Sequence, residues 1–324
     1  MASFAEAPRR RKLDLNPQLS SPFYNGLIPP EIRNLIFEFA LTASPPPGAQ
    51  ADVQEVWING QISRSSSRRG SFRPDRLLRT CQRVYDEVCC LPLFQTEHRF
   101  YLTYRFRVIN GRYEDQHCLS RRRLNDHFLY APPIAGHQRK DLVRSIHLYI
   151  SQGWLEKSLL KVMKCAWWFP KAEHIRITLR RRDWWGVATD EAPIIDPFRR
   201  LGGDRLTPSL MHSDMSTETG NVEFETGAWG TAFSQAASLK TLTMEFEMNL
   251  THYHHMESVV AWALKWRLPL PNGRHLSTEG QPTRCSLGGL SHAPGAIPIS
   301  NRVVQKCGQR LQTWTCRWKA VRDV

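Results

Sequence analysis

A strand–helix–strand alternation between residues 142 and 179 constrains this chain more than any other feature. Leu142–Ile150 predicts a strand, with Val143, Ile146, Leu148 and Ile150 apolar. Trp154–Trp168 predicts a helix with Leu155, Leu159, Val162, Met163 and Ala166 on one face. Ala172–Leu179 predicts a second strand, in which Ile175, Ile177 and Leu179 alternate with His174, Arg176 and Thr178. Two strands about 30 residues apart with a helix between them are the mark of a crossover unit and a parallel sheet. A third strand at Leu239–Met248 and a helix at Tyr253–Trp266 continue the theme after a longer insert, roughly residues 186–227. The expected class is α/β or α+β, with a mostly parallel sheet over residues 107–270. A degenerate leucine-rich solenoid is the alternative arrangement, although its consensus is missing. Residues 271–298 are rich in Gly, Pro and Ser and are expected to be loop or linker, so 271–324 is read as a loop-rich linker and tail ending in a short helix at Val303–Val324.

The N-terminal third is read differently. Residues 1–22 lack apolar periodicity and are expected to be a disordered basic tail. A helix is predicted at Pro30–Leu41, where Ile32, Leu35, Ile36, Phe39 and Ala40 form a helical stripe expected to face a core. Pro29-Pro30 suits a first turn and Glu31 complements the positive helix end. A flexible insert is expected at 44–74, with a short strand at Val53–Ile58 and a Ser/Arg-rich tract at Ser63–Gly70. A second helix is predicted at Asp75–Cys90, capped by Asp75 and stopped by Pro92, followed by a strand at His98–Phe106.

These two helices carry a resemblance. Ile28-Pro29-Pro30-Glu31-Ile32-Arg33-Asn34-Leu35-Ile36-Phe37 resembles the first helix of an F-box, and Leu77-Leu78-Arg79-Thr80-Cys81-Gln82-Arg83-Val84-Tyr85 resembles the later F-box helix. The layout, with Asp183-Trp184-Trp185 after a sheet strand, is similar to fungal F-box-like proteins of unassigned function. The resemblance implies an F-box-like helical region over 23–106 and a non-catalytic interaction module acting as a substrate adaptor. It also implies contact with the Skp adaptor of cullin–RING ubiquitin ligases through Ile28, Pro29, Glu31, Ile32, Leu35 and Ile36, and an unknown target protein. Two departures stand out. Ile28 replaces the usual leucine, and about 30 residues separate helices that an F-box joins by short loops.

Composition bears on the remaining classes. The chain of 324 residues has a formal charge of +14, of which +7 lies in residues 1–125. Such an even spread favours acidic partners generally rather than one nucleic-acid domain, and weak nucleic-acid association is the alternative function. The eight cysteines form no C-x-x-C pair and no apolar leader follows the Arg9-Arg10-Arg11-Lys12 run, so a reducing, intracellular location is expected, cytoplasmic or nuclear. No window approaches the ~20 apolar residues of a membrane span, so no membrane partner is expected. No G-x-S-x-G, H-E-x-x-H, Walker or G-x-G-x-x-G motif occurs. His252, His254 and His255 do not converge without a further ligand, and Glu245 and Glu247 are read as the solvent side of a half-buried strand. No catalytic residue, metal or cofactor is therefore expected.

Overall fold

A computed structural model describes residues 20–41, 57–58, 61–62, 82–95, 97–102, 106–109, 112–115, 138–165, 168–184, 193–199, 223–249, 253–278, 280–287 and 311–322. The chain divides into two compact units, Met1–Thr96 and Glu97–Val324. Residues 1–19 of the basic tail, most of the insert, the Asp75 cap and most of the 186–227 insert lie outside the described residues.

In the first unit, helix α1 spans Pro30–Leu41, as its periodicity predicts. The expected strand at Val53–Ile58 is described only as β1, Trp57–Ile58, which pairs antiparallel with β2, Gln61–Ile62. The second predicted helix is described from Gln82 to Val88 as α2, and a separate α3 follows at Leu91–Gln95. Pro92 therefore does not stop a helix. It sits in the first turn of the next one, where its missing N–H has no partner to lose. Among the described residues, the core of this unit consists of Tyr24, Phe37, Val84 and Val88, with Phe23 and Leu91 packed against it.

The second unit is an α/β domain. Its strands are β3 Glu97–Leu102, β4 Phe106–Ile109, β5 Arg112–Asp115, β6 Ser145–Ile150, β7 His174–Leu179, β8 Thr241–Asn249, β9 Leu268–Pro269, β10 Arg274–Thr278, β11 Thr283–Leu287 and β12 Leu311–Arg322. Its helices are α4 Arg139–Leu142, α5 Gln152–Met163 and α6 Tyr253–Ala263, with 3-10 turns at Arg181–Asp183 and Trp229–Gln235. The main sheet has eight strands in the order β3-β6-β7-β8-β12-β10-β9, with β11 beside β12. The first four are parallel and in chain order. The rest are antiparallel.

That antiparallel half corrects the expectation for residues 271–324. The segment supplies β10, β11 and the twelve-residue β12, which is a strand and not a short helix, and which pairs with β8 over nine residues. Its alternation of Trp314, Cys316 and Trp318, all buried, against Thr313, Thr315 and Arg317 is the period-two pattern of a half-buried strand. The turn from β9 into β10 is made by Asn272 and Gly273, at φ 64° and 67°, as paired left-handed residues do in tight hairpins.

The register sorts side chains onto two faces, because residues directly opposite share one. Ile146, Leu148, Ile175, Ile177, Leu242, Met244, Phe246 and Trp318 lie on the apolar face, all buried. Aromatic groups from the helical layer pack on it: Phe169 stacks on Phe100 at 5.4 Å, and Trp266 stacks on Trp318 at 5.9 Å and meets Trp229 edge-on at 5.6 Å. The backbone of Gly230 passes close to Pro197, whose carbonyl oxygen would lie 2.6 Å from any added Cβ. The opposite face carries His147, Arg176, Thr178, Glu245 and Glu247.

Candidate partner-binding surface

Helix α1 is the element the sequence singles out, and its surroundings show how it is set. Asn25 Oδ1 accepts a hydrogen bond from the Leu27 amide at 3.0 Å, and Gly26 takes the left-handed conformation, φ 90°, that turns the chain into Pro29-Pro30. Arg33 then fastens the helix. Its Nη1 donates to the carbonyls of Phe23 and Ile28 at 3.1 and 3.2 Å, and its Nε donates to Glu87 Oε1 of α2 at 3.1 Å. Its guanidinium also lies 5.2 Å from the centre of the Tyr24 ring, over which Arg83 sits at 4.1 Å. One turn on from Arg33, Phe37 enters the core and stacks on Phe23 at 5.7 Å.

Arg33 and Phe37 lie on one side of the helix, so the predicted stripe lies on the other. Ile32 is 46% exposed, Leu35 60%, Ile36 37% and Phe39 85%. The expectation that Leu35, Ile36 and Phe39 face a core is therefore overturned: the residue that packs on Val84 and Val88 is Phe37. The physical reason is that two helical faces were apolar enough to be buried, and the one beside the Arg33 anchor won. Pro29 and Glu31 are exposed, while Ile28 is half-buried with its carbonyl held by Arg33. Of the six residues assigned to partner contact, Pro29, Glu31, Ile32, Leu35 and Ile36 are thus at the surface. Leu27, 78% exposed, adds to the apolar group. Arg33 and Phe37, which orient the stripe, were not singled out by sequence; their i, i+4 spacing was the available signal.

A second constellation was missed. On the polar sheet face, His147 Nδ1 lies 3.2 Å from Glu97 Oε2 and Nε2 lies 2.7 Å from Thr178 Oγ1. Thr178 donates to Glu245 Oε2 at 2.6 Å, and Arg176 pairs with Glu245 and, at 3.7 Å, with Glu97. Burial opposes the charge of Arg176, but the hydrogen bond and charge of Glu245, and then the charge of Glu97, raise its pKa above the ordinary arginine value. Glu245 is buried within an ion-paired cluster, which corrects its reading as a solvent-side residue; Glu247 is half-buried. A hydroxyl, an imidazole and a carboxylate in series have the order of a nucleophilic triad. Here the Thr178 hydrogen is spent on Glu245, and Thr178 and His147 are only 5% and 2% exposed.

The remaining sequence candidates are placed simply. Asp183 Oδ2 accepts from the backbone N and Nε of Arg180, closing the 3-10 turn, and the buried Trp184 donates from Nε1 to the Glu247 carbonyl at 3.2 Å. Trp168 and Phe169 are buried. His254 and His255 are exposed at the start of α6, and His252 lies outside the described residues. Among the described residues no group of three His, Cys, Asp or Glu is arranged to hold a metal ion, and no helix is long and apolar enough to cross a membrane. Comparison with protein-family models, with curated proteins and with solved structures finds no match to this chain.

Proposed function

We propose that this chain is a non-catalytic, F-box-like protein–protein interaction module of the cell interior, in which α1 engages the Skp adaptor of a cullin–RING ubiquitin ligase. One observation carries the reading: Ile32, Leu35, Ile36 and Phe39 form an exposed i, i+3, i+4, i+7 stripe on a helix whose other side is anchored by Arg33 and Phe37. Apolar anchors at that spacing suit a helix laid in a partner's groove, and such a concentration on a surface marks interaction sites. Pro29 and Glu31 sit at the exposed start of the same helix. The second unit then supplies the surface for a target protein. Its four parallel strands in chain order also support a degenerate, solenoid-like arrangement that ends where β12 reverses direction.

A direct pull-down with purified Skp adaptor tests this. Pro29→Ala combined with Ile32→Ala should abolish capture while leaving the circular-dichroism spectrum and melting profile unchanged, because few contacts dominate such interfaces. Deleting residues 45–70 should leave capture intact. Failure of the wild-type chain to bind rejects the ligase role.

Weak nucleic-acid association is the second reading. It is favoured by β10, β11 and β12, which carry Arg274, Arg284, Arg317, Lys319 and Arg322 and no carboxylate. Binding of this kind falls steeply with salt and tolerates any sequence. A short single-stranded RNA titrated at two salt concentrations separates it from the first reading.

A further inference from the structure

The polar face of the main sheet is not uniform in charge. Pairing fixes two rows across β7, β8 and β12. One is Arg176, Thr243 and Arg317; the next is His174, Thr241 and Lys319, with Ser277 of β10 beside Lys319. His174, Arg317 and Lys319 are exposed, and the Arg176 side chain is 41% exposed. Thr241 and Thr243 are half-buried between them, with His174 Nδ1 2.7 Å from Thr241 Oγ1. The carboxylates that the sheet strands add to this face are Glu97, Glu245 and Glu247. Glu245 is buried against Arg176 and Thr178, and Glu97 is half-buried beside His147 and Arg176. Glu247 is half-buried and accepts from the Arg181 amide at 3.4 Å. Arg317 has no ion-pair partner among the described residues. The surface of the two rows is therefore cationic, with hydroxyls between the cations.

Spacing narrows what fits. Arg317 and Lys319 are two residues apart on one strand, so they project to the same side about 7 Å from each other. An extended peptide repeats its side chains on one side at the same interval, so carboxylates at alternate positions meet both cations. Nucleic acid is the less apt occupant. Holding a single strand takes open aromatic rings on which bases stack. Tyr149, on this face, is half-buried, stacked on His147 at 4.2 Å and has Arg180 5.6 Å from its ring centre. Every tryptophan whose side chain is described is buried. We infer that the face formed by β7, β8 and β12 binds an extended acidic peptide with carboxylates at alternate positions, two of them on Arg317 and Lys319. The inference rests on the second unit being the part that receives a target protein, and it names the target's binding segment; it does not depend on the Skp contact of α1.

Fluorescence anisotropy of a labelled Glu-Ser repeat peptide, titrated with the full chain at low salt, tests it. A Gln-Ser repeat and an oligouridylate of the same length are the controls. The Glu-Ser peptide should bind more tightly than either. Arg317→Gln with Lys319→Gln removes two exposed cations and should weaken its binding about five- to tenfold. Arg284→Gln with Arg322→Gln removes the same charge from exposed positions on the other face, where Arg284 stands opposite Trp314 and Arg322 follows the alternation of Trp318. That pair should weaken binding less than about twofold, because distant surface charges are screened. Equal losses from the two pairs, equal binding of the Gln-Ser peptide, tighter binding of the oligouridylate, or no binding at all overturns the inference. Skp capture by the same preparations keeps the two readings apart: capture without peptide binding rejects this surface alone, and peptide binding without capture rejects the ligase role alone.

Discussion

Helices α1 and α5 are both twelve residues long and both amphipathic, yet they are used in opposite ways. In α5, Gln152, Gly153, Trp154, Leu155, Leu159, Val162 and Met163 are buried, and the apolar stripe faces the interior as its spacing predicts. In α1 only Phe37 is buried among the described side chains, and the broader stripe faces out. Helical periodicity specifies that a stripe exists. It does not specify which way it points, because that is decided by whatever anchors the opposite side. For α5 the partner is the 3-10 turn Trp229–Gln235, whose Trp229 and Phe233 are themselves buried. For α1 the anchors among the described residues are Arg33 and Phe37, and Ile32, Leu35, Ile36 and Phe39 are left exposed.

The comparison can be broken at several points. The largest effect is expected in the second unit: Trp318→Ala removes a fully buried ring stacked on Trp266 and should cost about 4–5 kcal/mol. Ten of the eleven tryptophans lie in this unit, so fluorescence-detected unfolding reports on it. Phe37→Ala should cost about 3 kcal/mol, toward the low end for a buried phenylalanine, and the loss should appear as faster amide exchange in residues 20–95. Ile36→Asp should cost under ~0.5 kcal/mol in the same measurement, because Ile36 is already at the surface. A cost for Ile36→Asp that equals that of Phe37→Ala would put the stripe inside after all. Gly230→Ala should lose roughly 1–3 kcal/mol through overpacking against Pro197, seen as a lower urea midpoint.

The smallest effect concerns Glu173. Its hydrogen bond to Lys240 lowers its pKa, outweighing some desolvation, and the charges of Lys240 and Arg144 act the same way. A lowered carboxylate contributes stability above its unfolded range, and the contribution is lost as pH falls through the folded value. Lys240 is largely exposed, so Glu173→Gln should remove less than about 0.5 kcal/mol of stability at neutral pH, and the difference from wild type should vanish as pH falls below about 5.

Much of the second unit was legible in the sequence. The Ile175, Ile177, Leu179 and Leu242, Met244, Phe246 alternations predicted β7 and β8, and the Leu155–Leu159–Val162 spacing predicted α5. The C-terminal strands were not. Gly, Pro and Ser around residue 280 outweighed two local signals, the Asn272-Gly273 hairpin turn and the Trp314-Cys316-Trp318 alternation. The His147 relay was legible only as polar positions on separate strands. Which of them meet depends on register, and strand pairing over tens of residues is not written in any one strand. In the first unit the boundaries of α1 were readable, but its orientation was not, since Phe37 differs from its neighbours only through the partners it meets.

The place of β12 in the sheet has a consequence for how the protein is made. The strand that pairs with β8 over its whole length emerges from the ribosome about 60 residues after β8 does. At ordinary translation speeds that is a delay on the order of 3 to 12 seconds. Throughout it, β8 is a nascent edge strand whose Leu242, Met244 and Phe246 lack the Trp314 and Trp318 that later cover them. The parallel strands β3, β6, β7 and β8 are already synthesised but cannot close the barrier to aggregation themselves. The second unit therefore completes its sheet late in synthesis, and the interval before residues 311–322 arrive is when the edge of β8 stands open to wrong pairing.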